Sequence, residues 1–177
     1  MVTFRKTTVL VAIREPVTRW GLIQLIDSHS DLRVVGEADG LTGARELCTR
    51  LKPDVVIVDP AMSGGCAFVQ DVRHWSARAQ VVAFTGQEDA ASVERAFTAG
   101  VTGYVTRLDS VAAVIGTILG ASRGERCIGP RLAHVLRECL SGTRPETGAP
   151  PPAREERGTI LRGWMQEPQA AQDTDAD

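Results

Sequence analysis

An aspartate, Asp59, closes an apolar segment of the chain, Asp54–Asp59 (DVVIVD). A carboxylate at the end of such a segment emerges from the core, where it can meet a phosphoryl group or a cation. Thr85 closes a second apolar segment, Gln80–Thr85, and Arg107 follows a third, Gly103–Thr106. An acid, a hydroxyl and a cation at neighbouring segment ends suit phosphoryl chemistry, which relies on positioning and charge. The plainer alternative is that Asp59 only caps the turn after it, DPAMSGG.

Other chemistries find little support. His29, His74 and His134 are far apart and lack metal-ligand spacing. Cys48, Cys66, Cys127 and Cys139 are scattered with no CxxC pair, which suits reduced thiols in a cytosolic protein. Neither a GxGxxG nor a GxxxxGK[ST] loop occurs. No Ser/His/Asp or Cys/His nucleophile arrangement has an anchor. A phosphatase with an aspartate nucleophile would want a second aspartate two residues on, and that position is Ala61.

The elements that must position these residues are short apolar runs alternating with amphipathic stretches. Strands are expected at Thr8–Ile13, Leu32–Ala38, Asp54–Asp59, Gln80–Thr85 and Gly103–Thr106. Helices are expected at Val17–His29, Thr42–Leu51, Cys66–Trp75, Asp89–Ala99 and Ser110–Ser122, with one more at Pro130–Leu140. Repeated βα units with continuous apolar strands imply an α/β fold, its parallel sheet covered by helices on both faces. Sites in such sheets lie beyond the carboxyl ends of the strands, where strand order reverses. Asp59, Thr85 and Arg107 fall there.

Composition bounds the rest. The 177 residues are 43% hydrophobic and 24% charged, with a net charge of −2. Residues 1–140 hold 16 of the 20 Lys and Arg, while residues 141–177 hold 7 of the 22 Asp and Glu and five of the nine prolines. One packed domain followed by an acidic, polar tail is expected. No apolar run is long enough to span a membrane. Val9–Ile13 is too short for a signal peptide, so the expected location is cytoplasmic. Near-neutral charge argues against a general electrostatic grip on nucleic acid.

The chain resembles a known family across residues 7–140: the receiver domains of bacterial two-component response regulators, in the NarL/LuxR-type branch. VLVAIREPVTRWGLIQLI carries Pro16 and Gly21–Leu22 where the family has them. LRVVGEADG, KPDVVIVDPAMSGG with Met62 and Gly64, VVAFTG, and AGVTGYV follow in order at matching separations. The resemblance implies a flavodoxin-like, doubly wound, five-stranded sheet of order 2-1-3-4-5. It implies a receiver over residues 1–128, a C-terminal helix over 129–141, a Pro/Gly-rich linker over 142–158, and a short remnant of a LuxR-type DNA-binding domain over 159–177 with a disordered acidic end.

Carried over by position, the family's phosphoacceptor falls on Asp59. Its switch hydroxyl falls on Thr85 and its switch aromatic on Tyr104. Its lysine position holds Arg107, and its acidic pair falls on Ile13 and Arg14. The proline after Met62 is replaced by Ser63. The family's Mg²⁺ needs several oxygen ligands, mainly carboxylates. One carboxylate remains where the family offers three, and Arg14 brings a fixed positive charge. No cofactor or metal is therefore expected, Mg²⁺ included. Arg14 and Arg107 are both expected to aim at Asp59, with Arg14 in the metal's place and Glu15 facing the loop. The alternative is a decayed site whose arginines point to solvent.

The resulting expectation is a non-enzymatic, phosphorylation-independent regulator in signal transduction and transcription control. It would act as a homodimer or as a heteromer with another regulator, through a face of the fourth helix, fifth strand and fifth helix. Ordinary core packing is the other account of that helix. A histidine kinase remains a partner to consider. Because the resemblance covers only the opening of the DNA-reading domain, DNA binding by this chain alone is not expected. Two alternatives stay open: a conventional phosphoacceptor at Asp59, and an anionic-ligand sensor at the same pocket.

Overall fold

A computed structural model of the chain describes residues 5–141. The linker and the DNA-binding remnant expected over 142–158 and 159–177 lie outside these residues. Strands β1 (Thr7–Ala12), β2 (Leu32–Ala38), β3 (Val55–Val58), β4 (Gln80–Thr85) and β5 (Gly103–Thr106) alternate with helices α1 (Pro16–Asp27), α2 (Leu41–Leu51), α3 (Gly65–Trp75), α4 (Ala90–Ala99) and α5 (Val111–Ser122). A two-residue strand, β6 (Cys127–Ile128), and helix α6 (Pro130–Ser141) follow.

All strands pair in parallel, in the order β2-β1-β3-β4-β5-β6. The flavodoxin-like order is present, with one strand more than expected. The sequence conceals β6 because two residues between Arg126 and Gly129 are too few for a periodic signal. Its register pairs Gly103 with Cys127 and Tyr104 with Ile128, so the outer edge of β5 is occupied.

Side-chain alternation builds two cores. Val9, Val11, Ile57, Val82, Phe84 and Val105 face α1 and α5, where Leu22, Ile26, Val114 and Ile118 meet them. The opposite face is covered by α2, α3 and α4, which pack in sequence. Burial on both faces explains why β3 and β5 are buried throughout. The apolar residues of α5 are largely core: Val114 and Ile118 are buried, and Ile115 and Leu119 pack against the same cluster. Only Val111 stands exposed among the large ones. β6 takes the β5 edge, and the core takes most of the apolar residues of α5, as ordinary core packing would have it.

The reversal of strand order lies at β1, between β2 and β3. The loops after β1 and β3 open a crevice there, and those after β4 and β5 extend its rim. Among the described residues, no helix is long and apolar enough to cross a membrane.

Candidate functional site

Asp59 emerges directly after the fully buried β3 and is itself only 7% exposed. The loop behind it is tightly bonded. Asp59 Oδ1 accepts from the Ala61 amide at 2.9 Å, and its backbone carbonyl accepts from the Met62 amide. Gly65 then starts α3 against Pro60, where an added Cβ would fall 2.7 Å from the Pro60 carbonyl oxygen. This close approach needs glycine.

The other oxygen of Asp59 meets a cation. Arg107 Nη2 donates to Asp59 Oδ2 at 3.1 Å, and the same nitrogen donates to Glu15 Oε1 at 3.1 Å. Arg107 stands after β5, so its long arm crosses the end of β4 to reach the loops after β3 and β1. It acts as a bridge between two carboxylates and not as a fork on one. The pairs are partly wet: the side chains of Arg107 and Glu15 are 36% and 48% exposed, against 10% for Asp59. Glu15 titrates below its ordinary range, chiefly through its own backbone N–H and also through Arg107 and, more weakly, Arg14.

Two expectations about this site need correction. Arg14 does not occupy a place beside Asp59. It is exposed, and among the described residues its guanidinium makes no ion pair. Ile13 turns its side chain fully into the core, and the loop carbonyls of Ile13 and Arg14 are held by Arg19 Nη1 at 2.8 and 3.1 Å. That anchoring presents Glu15, not Arg14, to the crevice. Glu15 was expected to face the loop. Its signal in the sequence is its place immediately before Pro16, the first residue of α1, where the chain must turn back toward the sheet.

Thr85 ends β4 fully buried, and its hydroxyl accepts from the Gln87 amide at 3.3 Å. Its carbonyl accepts from the Arg107 amide at 3.0 Å, tying the ends of β4 and β5 together. Tyr104 is fully buried; its hydroxyl donates to the Gln87 carbonyl at 2.9 Å, and its ring lies 6.2 Å from that of Phe97. Burial raises its phenol above the ordinary range, so it stays a neutral donor. Among the described residues, no buried side-chain polar atom lacks a partner.

The Ile13 side chain offers no oxygen, and the carboxylates of Asp59 and Glu15 already share a guanidinium. A cation bound between them would have to displace Arg107. Among the described residues, no group of three acidic, His or Cys side chains is placed to hold a metal. A cleft of about 390 Å³ lies elsewhere, beside Arg19, Glu37, Asp39 and Glu46; its mostly acidic wall is unsuited to an anion.

A model of the response regulator receiver domain matches residues 9–112. The chain belongs to this family. The receiver is 30% identical over 145 residues to response regulator GacA of Pseudomonas viridiflava, covering 81% of this chain and 67% of that one. It is 26% identical to the nitrate/nitrite response regulator protein NarP of Escherichia coli, covering 73% and 61%. The chain thus spans about two thirds of the length of these relatives or less. A two-component response regulator of the LuxR family from Aurantimonas sp. SI85-9A1 superposes with a TM-score of 0.71 at 28% identity, covering 77% of this chain and 99% of that one. A DNA-binding response regulator of the LuxR family from Staphylococcus aureus gives 0.59 at 25%, covering 66% and 98%. The relatives place this receiver in the branch expected from its residues.

Proposed function

We propose that this receiver serves a response regulator whose signalling does not run through phosphorylation of Asp59. The observation that carries the reading is the bridge Asp59 Oδ2–Arg107 Nη2–Glu15 Oε1. A guanidinium is positively charged at every physiological pH, so the bridge supplies the counter-charge permanently. Phosphoryl transfer to an aspartate needs a free carboxylate oxygen and a cation to carry the incoming phosphoryl charge. Here Oδ1 accepts from a backbone amide and Oδ2 accepts from Arg107. The site holds a charge arrangement; it carries out no chemistry, and the chain is not an enzyme on this reading.

The names of the relatives point to transcription control as the output. Contact with a second regulator chain, as homodimer or heteromer, would deliver it. Sedimentation velocity of the full chain, alone and with a candidate partner, tests that contact.

The test of the main reading is incubation with acetyl phosphate and Mg²⁺, followed by intact-mass analysis. The unmodified mass is expected throughout. A stoichiometric phosphoryl increment, lost in Asp59→Asn, would establish a conventional phosphoacceptor instead. The histidine kinase would then return as the partner to seek.

A further inference from the structure

The turn that carries Arg107 also carries the N-terminal cap of helix α6. Thr106–Asp109 closes on itself: the Asp109 amide donates to the Thr106 carbonyl, and Asp109 Oδ2 accepts from both the Thr106 amide at 2.8 Å and its hydroxyl at 3.1 Å. The other oxygen, Oδ1, leaves the turn and accepts from the Arg131 amide at 3.1 Å. That amide is one of the unpaired donors in the first turn of α6. A side chain 22 positions upstream therefore does what a helix's own N-cap residue ordinarily does.

Gly129 makes this possible. It precedes Pro130, where a capping Ser, Thr, Asn or Asp is usual. A Cβ built on Gly129 would lie 2.3 Å from Asp109 Oδ2 and 2.8 Å from its Cγ. The glycine vacates the volume that the Asp109 carboxylate fills. Its amide meanwhile donates to the Tyr104 carbonyl at 2.7 Å, continuing the β5–β6 pairing into the helix start.

A second tie reaches the other rim loop. Arg131 Nε donates to Glu88 Oε1 at 2.6 Å. Glu88 lies between Gln87, whose carbonyl receives the Tyr104 hydroxyl, and Asp89, which caps α4 through the Ser92 amide. The first turns of α6 are also anchored by Leu132 and Leu136, both buried. The loops after β4 and β5 thus converge on one short stretch, Gly129–Arg131.

We propose that α6 is the readout arm of this receiver: Asp109 and Arg131 couple the charge bridge at Asp59 to the start of the helix. Displacing Arg107 from Asp59 disturbs the Thr106–Asp109 turn, and the turn then withdraws the cap. The inference goes beyond the function proposed above. It holds whichever agent moves Arg107, so phosphorylation of Asp59 would leave it standing.

Hydrogen exchange of the full chain tests it, read on peptides covering residues 130–136. Arg107→Ala should speed exchange there by ~5-fold, the size of effect that loss of a cap produces. Gly129→Ser separates coupling from stability. Its hydroxyl can cap the helix locally, while its Cβ expels Asp109. In that background α6 should stay protected, and Arg107→Ala should no longer affect it. Arg131→Ala supplies a second arm and should transmit faster exchange to the loop at Glu88. The proposal is overturned if Arg107→Ala speeds exchange in residues 106–110 yet leaves residues 130–136 unchanged. It is equally overturned if the effect on α6 persists undiminished in Gly129→Ser.

Discussion

Arg107 Nη2 lies 3.1 Å from Asp59 Oδ2 and 3.1 Å from Glu15 Oε1, so a single nitrogen bridges two carboxylates. This contact joins loops that follow β5, β3 and β1, spaced across the carboxyl edge of the sheet.

The contact is energetically modest because Arg107 is about a third exposed and solvent screens it. Arg107→Ala is expected to lower unfolding stability by about 1 kcal/mol. A double-mutant cycle with Asp59→Asn should return a coupling of roughly 0.5–1 kcal/mol in urea denaturation. Additive losses would show that the pair is not formed in solution.

Restoring an acidic residue at position 13 should damage the fold instead of rebuilding a metal site. Ile13 is fully buried within the cluster of Val9, Val11, Ile57 and Phe84. An aspartate there would bury a carboxyl group without a partner. Ile13→Asp is expected to cost about 3 kcal/mol or more. Thermal melts with and without Mg²⁺ check both halves: a large drop in Tm, and no Mg²⁺-dependent recovery.

Much of this was legible in the sequence, and the exceptions have physical causes. The limits of β4 and β5 follow from apolar runs buried on both faces. Asp59, Thr85 and Arg107 share a rim because each ends or follows such a run. Arg14 and Glu15 were harder, because near a strand end the pattern of buried residues no longer indicates which way a side chain turns. Arg19 decides it, by holding the two carbonyls ahead of Glu15 from within α1. Asp109 left no local signal at all, since its capping partner at Arg131 is distant in the chain.

Cys48 should report global unfolding. It is fully buried on the inner face of α2, and desolvation pushes its thiol up to about 11, against a weaker opposing pull from Lys52. A protonated, inaccessible thiol does not alkylate. At pH 8 with iodoacetamide, the Cys48 peptide should remain unlabelled in native buffer and label fully in denaturant. The peptide of Cys66, which is partly exposed, should label in native buffer. Rapid native labelling at Cys48 would show that α2 opens locally.

The acid limb of stability carries the sign of the Glu15 shift. Its carboxyl titrates below the ordinary value of 4.5, held there first by its own backbone N–H and then by Arg107, with partial burial opposing. A group with a lowered native pKa binds fewer protons folded than unfolded, so its stabilisation is complete above the ordinary value. That stabilisation fades as pH falls through the lowered native value. Asp89 adds to the same limb: burial opposes its ionisation, but the hydrogen bonds from Ser92 prevail and lower its pKa. Glu15→Gln should therefore cost stability at pH 7 and nearly nothing once both forms are protonated. Urea midpoints measured from pH 7 downward should draw together for wild type and Glu15→Gln as pH falls through the lowered native value. A gap that stays constant across this range would mean that Glu15 acts through packing, with its charge irrelevant to the bridge.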